Sequence, residues 1–512
     1  MANGGQVNIL GFEPRRIRAA FDAVDETVPS VEYLIGYLRH IGVQAVVHEQ
    51  VYLDRHFLDE FAEYYSRSFK PCSNACERLL FFASDLESTK VAFSNTFSGS
   101  ETARHRAHER LQGAFRGFSV KRPLKNATVG RTVVRCYPSD NERRRYTALR
   151  PYRVHLPSGC ALTVHGLAFQ QQDVGAAVCA STALWSALQR VAFVSGHRSP
   201  TPVQVTKAAN SPFPASSGLD DQQMATALSN LGYNAERFSV AENRALFRAA
   251  VAACLDSRLP VVLLLRKKIK TGAGEVWAGH AVTVTGYRFD TPSGEVPAPE
   301  DGGKTLKLRG AALDVVYVHD DNLGPHAHYE LFDGADVDEF TGHASLMLRR
   351  GRNKKQDWWT EDEWIVEGGL VPKPAELRMD LSHLSTMVWR CRAIMELITS
   401  DLDLDLEYQA RVTTGIEYKA DVVEEGSGVD VQPFLECLSL PRHLGVVTVW
   451  LEGEPLFDFV LDVSETDRHG LPILALVATN VPADSSLGRQ LEKVAAWKLE
   501  AVGGGDCPIL LQ

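Results

Sequence analysis

Residues 170–191 read QQQDVGAAVCASTALWSALQRV, and the stretch changes character at Cys179. Before it the chain is irregular and contains a glycine. From Val178 to Phe193 the apolar residues Ala183, Leu184, Ala187, Leu188, Val191 and Ala192 return at helical spacing and make one buried face. A cysteine in the first turn of such a helix lies beside unpaired backbone N–H groups and the positive end of the helix dipole, both of which favour thiolate over thiol. The stretch therefore holds a nucleophile together with the element that activates it.

A thiol nucleophile needs a base, and imidazole is the side chain whose pKa suits the task. His280 lies 101 residues downstream (280 − 179) in WAGHAVTVTGYRFD, at the start of an apolar strand over Ala281–Tyr287. The following strand, Ala312–His319, ends in HDDNLG, which places Asp320 or Asp321 where a neighbouring strand would present a carboxylate to the imidazole and hold its tautomer. The DDNLG turn favours Asp320. An acyl-transfer site also needs donors for an oxyanion, and the side-chain amide of Gln172, seven residues before Cys179, fits that role beside the Cys179 N–H, with Gln171 as the alternative.

In order and context these residues resemble the papain-like cysteine peptidases, nearest the compact bacterial branch that includes the double-glycine leader peptidases. Glutamine comes first, then a cysteine opening a helix, then GHAVTVTGY, then an aspartate at a strand end before a glycine-containing turn. The resemblance covers about residues 165–335. It implies an α+β papain-like core, a helix-rich half followed by an antiparallel sheet, that cleaves an amide or isopeptide bond in a protein or peptide without a cofactor or metal. Cys179 would be the nucleophile, His280 the general base, Asp320 the orienting acid and Gln172 the oxyanion donor. The chain departs from these families at Ala180, where they often carry Trp or Gly, and at Gln172, which stands one residue farther from the cysteine than usual. Two other readings keep the same residues. Transglutaminases and arylamine acetyltransferases use cysteine, histidine and aspartate in the same chain order to transfer an acyl group, and a papain-like scaffold without turnover would serve as a binding module.

The remainder of the chain sets the frame. Its 512 residues suggest about three domains at roughly 150 residues each. We place them at 1–150, an N-terminal α+β accessory region; 151–350, the papain-like domain; and 357–512, a C-terminal α+β accessory domain, with the polar GRNKKQ run at 351–356 as linker. The flanking regions hold no motif that converts to chemistry and are candidates for docking a protein partner. Hydrophobic residues at 45% and charged residues at 23% are ordinary for a globular protein and exclude wholesale disorder. A net charge of −10 argues against a surface that coats nucleic acid, so no nucleic-acid partner is expected. Nine cysteines, an odd number spread singly, form no disulfide framework and point to a reducing compartment. The opening MANGGQVNILGFEPRR lacks the apolar stretch of a secretory signal, and runs such as Leu259–Leu265 are too short to span a bilayer, so a cytoplasmic protein without membrane contact is expected.

Other features have plainer readings. Cys72 and Cys76, spaced as on a helix turn, lack the four well-placed ligands of a zinc site even with His48 or His56 nearby. His326 and His328 alternate as on one face of a strand or loop, and DLDLDLEYQ from Asp401 reads as a half-buried strand because glycine and glutamate are missing where a calcium loop needs them. Trp358, Trp359 and Trp364 read as aromatic core anchors, Arg143–Arg145 as a solvated turn, and Asp290–Gly303 as a surface excursion.

Overall fold

The helix expected from the periodicity after Val178 runs from Cys179 to Val194, and every residue from Ala180 to Ala192 in it is buried. A helix buried all round needs partners all round. In the computed structural model, Thr283 Oγ1 on strand Gly274–Arg288 donates to the Ala183 carbonyl at 2.7 Å, Ser186 Oγ to the Ala168 carbonyl at 2.6 Å, and Trp185 Nε1 to His56 Nδ1 at 3.2 Å. Three otherwise unpaired polar groups inside an apolar environment are thereby satisfied. The structure describes residues 7–24, 27–69, 71–125, 127–138, 144–173, 179–211, 218–240, 243–272, 274–288, 293–297, 305–337, 343–350, 363–377, 381–399, 404–424, 439–463, 473–478, 489 and 509–510.

The fold is mixed α+β, and the chain divides into two compact units, each assembled from separated segments. The first comprises Met1–Arg237, Leu259–Arg288 and Val315–Pro372; the second comprises Phe238–Arg258, Phe289–Asp314 and Lys373–Gln512. Neither boundary expected at 150 nor that at 350 coincides with this division. The physical reason on the N-terminal side is a shared core. Phe118 and Val133 from the first 150 residues pack in one buried cluster with Val164, Leu184 and Leu188, and Thr132 bridges Phe169.

Two larger sheets and the hairpin of Arg150–His155 with Ala161–Gly166 build the first unit. Strands Val7–Gly11, Ala45–Tyr52, Cys76–Phe82, Phe115–Lys121 and Val129–Val134 form a five-stranded antiparallel sheet in chain order. Six further strands close on themselves. Val261–Thr271, Gly274–Arg288, Val315–Asp320, Gly324–Val337, Ala344–Arg350 and Glu363–Pro374 pair antiparallel in succession, and the last pairs back to the first through Val262–Leu370 and Leu263–Gly369. Closure into a barrel pairs both edges of strand Val261–Thr271 over its buried half.

The second unit carries a seven-stranded sheet, Ser293–Pro297, Thr305–Arg309, Leu406–Thr414, His443–Leu451, Glu454–Asp462, Ile473–Ala478 and Ile509–Leu510 in that order. Val296, Leu306, Val388, Tyr408, Val447 and Phe459 share its core with helix residues Met387 and Cys391. The segment read as a surface excursion at 290–303 thus contributes the strand Ser293–Pro297, hydrogen-bonded to Thr305–Arg309, which in turn runs parallel to Leu406–Thr414. Its Pro and Gly content hid two short strands whose partner lies about a hundred residues later.

Several local expectations change. Cys76 opens a strand, and Cys72 Sγ points at the Pro123 carbonyl, so the two cysteines share no helix turn. Arg144 and Arg145 form a short strand paired with Tyr287–Arg288, and Arg144 donates to the Tyr317 hydroxyl at 2.8 Å instead of being solvated. Trp358, Trp359, Arg143, the 351–356 linker, Cys437, Cys507 and residues 401–403 lie outside the described residues. Among the described residues, no helix is long and apolar enough to cross a membrane.

Candidate active site

Cys179 is the first residue of its helix and is partly exposed, so its sulfur sits where the backbone N–H groups of the first turn have no intrahelical acceptors. His280 lies on strand Gly274–Arg288, against which the helix packs, and is 7% exposed. Its Nε2 lies 3.0 Å from Asp320 Oδ1 and 4.0 Å from Asp321 Oδ1. With Nε2 engaged by a carboxylate, Nδ1 is the ring nitrogen left for the thiol, and Cys179 is among the side chains that raise the His280 pKa. The three residues expected from the sequence therefore come together in the order thiol, imidazole, carboxylate.

Asp320 ends strand Val315–Asp320, and its position is set by the turn that follows. The Leu323 N–H donates to the Asp320 carbonyl at 2.8 Å, and the Asn322 N–H donates to Oδ1 at 3.1 Å, an aspartate-capped turn. Gly324 closes it because the chain here passes against Tyr33, and a Cβ at this position would lie 2.1 Å from the Tyr33 ring. The remaining oxygen, Oδ2, accepts from the Tyr329 hydroxyl on the next strand, Gly324–Val337. Tyr329 sits nine residues beyond Asp320, and no spacing rule in the sequence announces it. Its hydrogen bond fixes the carboxylate that fixes the imidazole, so Tyr329→Phe should lower kcat about tenfold with little change in KM, in line with the loss of an outer partner that orients a functional group. Steady-state rates of the variant check this.

Burial and charge act in opposite directions across the site. Burial alone would lower the His280 pKa, but the Asp320 charge and hydrogen bond, with help from Cys179 and Asp321, carry it well above its ordinary value. Burial would raise Asp320, yet His280, Tyr329 and the Asn322 N–H bring it down to about 2. For Asp321 the balance tips the other way. Burial, with the Asp320 charge adding to it and His280 opposing, pushes it up to about 7. Asp320 is thus the ionised partner of a protonated imidazole, and adjacent residues in the chain hold carboxyls of opposite character.

Trp364 covers the imidazole, ring centroids 5.1 Å apart, and is itself 7% exposed. Read from sequence as a core anchor, it is buried as expected, and its burial also screens the His280–Asp320 pair from water, which strengthens their interaction. The glutamines divide. Gln171 is buried, with its side-chain oxygen accepting from the Val129 N–H at 3.2 Å and its carbonyl from Arg122 at 2.7 Å. Gln172 is the part-exposed one, and its side-chain amide donates to Asn322 Oδ1 on the aspartate turn while its N–H reaches the Asp321 carbonyl at 3.3 Å. Residues 174–178, which join it to Cys179, lie outside the described residues.

Two further features border the site. Gly218 faces the thiol, since a Cβ there would lie 3.9 Å from Cys179 Sγ. Arg122, 1% exposed, holds the glutamine segment from behind through the Gln171 carbonyl, Ala127, Glu60 and Asp173. Elsewhere Cys136 Sγ approaches His326 Nε2 at 3.7 Å, but burial raises that thiol and lowers that imidazole, so this second pair favours the uncharged, unreactive forms. No protein-family model matches the chain, and no match is found among curated proteins.

Proposed function

We propose that the chain is a thiol-dependent hydrolase of papain-like type that cleaves an amide bond in a protein or peptide. The observation that carries the proposal is the gathering of Cys179, at the start of a buried helix, with His280, whose pKa it helps to raise and whose Nε2 meets Asp320 Oδ1 at 3.0 Å. The Cys179 thiolate attacks the carbonyl carbon, and the resulting oxyanion is met by N–H groups of the first helical turn and, once it turns from Asn322, by the Gln172 amide. His280, carrying the proton on Nδ1, delivers it to the leaving amine as the C–N bond breaks. Water then attacks the thioester, giving its proton to His280, and the acid leaves with the thiol restored. Asp320 keeps its charge throughout and stabilises the imidazolium.

Cys179→Ala should abolish peptide hydrolysis while leaving the thermal unfolding temperature within a few degrees of the wild type; hydrolysis that survives the substitution refutes the reading. Iodoacetamide should alkylate Cys179 well before Cys72 and Cys160, whose thiols burial raises. Product masses in the presence of an added amine separate hydrolysis from transfer.

A further inference from the structure

We propose that His280, Asp320 and Asp321 bind a zinc ion. If the proposed thiol chemistry is correct, on which this clause alone rests, the zinc-loaded form is a resting state of that site. One ligand atom from each residue, Nε2 and two carboxylate oxygens, lies within 4.8 Å of the others. Two of the separations are already 3.0 Å and 4.0 Å. Zinc holds nitrogen and carboxylate oxygen at about 2.0–2.2 Å in a tetrahedron, which places ligand atoms roughly 3.4 Å apart. The 3.0 Å pair must open and the 4.0 Å pair close by about half an ångström to reach that spacing, and the third separation is within 4.8 Å.

The independent observation is Asp321 itself. It is 4% exposed, and neither of its carboxylate oxygens has a hydrogen-bond partner among the described residues, whereas both oxygens of neighbouring Asp320 are engaged. A buried carboxyl without a partner is costly, and one close to a second carboxylate more so. A divalent cation among the three side chains balances two carboxylate charges with its own two. The donor set chooses the metal: imidazole beside carboxylate suits zinc, while magnesium and calcium take oxygen ligands in larger number. Three protein ligands leave a fourth position for water.

Binding replaces the proton between His280 and Asp320 by the metal. The Nε2–H proton leaves to solvent as the zinc–nitrogen bond forms, and the cation draws electron density from the ring. Asp320 is then held by the metal instead of by the ring N–H, so it no longer orients the imidazole or stabilises the imidazolium that the thiol chemistry requires.

The test uses the full chain with Cys179→Ala, which removes the thiol as a competing ligand, titrated with zinc against a chromophoric chelator. Adding Asp321→Asn to that protein should weaken one zinc site by about 100-fold or more, since even outer-sphere partners of a metal cost 10–100-fold. Equal zinc affinity in the two proteins overturns the inference. Should Asp321→Asn lower the unfolding temperature, His280→Gln in the same background carries the comparison. Cobalt bound to the protein with its thiol intact should show nitrogen and oxygen ligation; a thiolate charge-transfer band would place the ion on Cys179 and overturn the site as drawn. Because the titration uses a protein without Cys179, it succeeds or fails independently of hydrolysis.

Discussion

His280→Gln should lower kcat/KM for a cleaved peptide by about a thousandfold, because the substitution removes both the acceptor for the Cys179 proton and the donor to the leaving amine. Glutamine is close to imidazole in size and keeps a hydrogen-bonding group facing Asp320, so the loss belongs to chemistry rather than to the cavity. Asp320→Asn should fall in the same range. Its amide is isosteric with the carboxylate, but it cannot stabilise an imidazolium and would present the wrong hydrogen-bonding partner to Nε2. The double variant should be scarcely worse than either single one, since residues that act as a unit are not additive. Steady-state rates decide the matter: a His280→Gln protein within tenfold of the wild type would leave the imidazole without a catalytic role. Alkylation of Cys179 should slow in parallel, a readout that needs no substrate.

The largest expected effect on stability lies behind the glutamine segment. Arg122 is 1% exposed and Glu60 fully buried, with Asp173 3.5 Å from the same guanidinium nitrogen that Glu60 meets at 3.3 Å. Arg122→Met keeps the apolar stem but removes the cation that faces two buried carboxyls and the donor to the Gln171 carbonyl. Breaking a buried ion pair from one side costs about 3–5 kcal/mol. Part of that is recovered by proton uptake, because burial already pushes Glu60 up to about 7 against the pull of Arg122, and losing Arg122 raises it further. A net loss of about 3 kcal/mol should lower the midpoint of thermal unfolding by several degrees. Adding Glu60→Gln should restore a measurable share, since Gln170 donates to Glu60 at 2.6 Å and can pair with an amide as well. If Arg122→Met alone unfolds with the wild type, the network is not what holds the 170–173 segment.

What the sequence made legible follows from where local pattern and global structure agree. The helix that carries Cys179 was readable because apolar residues repeat along it at helical spacing; the pattern was read over Val178–Phe193, and the helix runs over Cys179–Val194. His280 was readable as the entry to an apolar strand, but the strand starts six residues earlier, at Gly274, and its partner runs on to Thr271. Those extra residues, Lys267–Lys270 opposite Glu275–Ala278, are largely exposed, the apolar Ile269, Val276 and Trp277 among them, so no inside–outside alternation marks them. Tyr329, on the strand after Asp320, and Trp364, on a strand remote in the chain, reach the site through sheet packing, which spacing alone does not encode. The same holds for Ser293–Pro297 and Thr305–Arg309, whose place in the second sheet depends on a strand at 406–414.

The interleaving of segments has a consequence for synthesis. A nascent chain that has emerged as far as Arg237 already carries Cys179 and its helix, but the strand bearing His280 comes after an excursion through the second unit, and Asp320 after another. The barrel that seats the imidazole closes only when Glu363–Pro374 pairs with Val261–Thr271, an association of residues about a hundred apart. During translation the thiol therefore passes through a long interval with no base, no carboxylate and no Trp364 to cover them. On the reading proposed above, a chain halted before Glu363–Pro374 holds Cys179 without its assembled partners, and hydrolysis waits for the strands that follow.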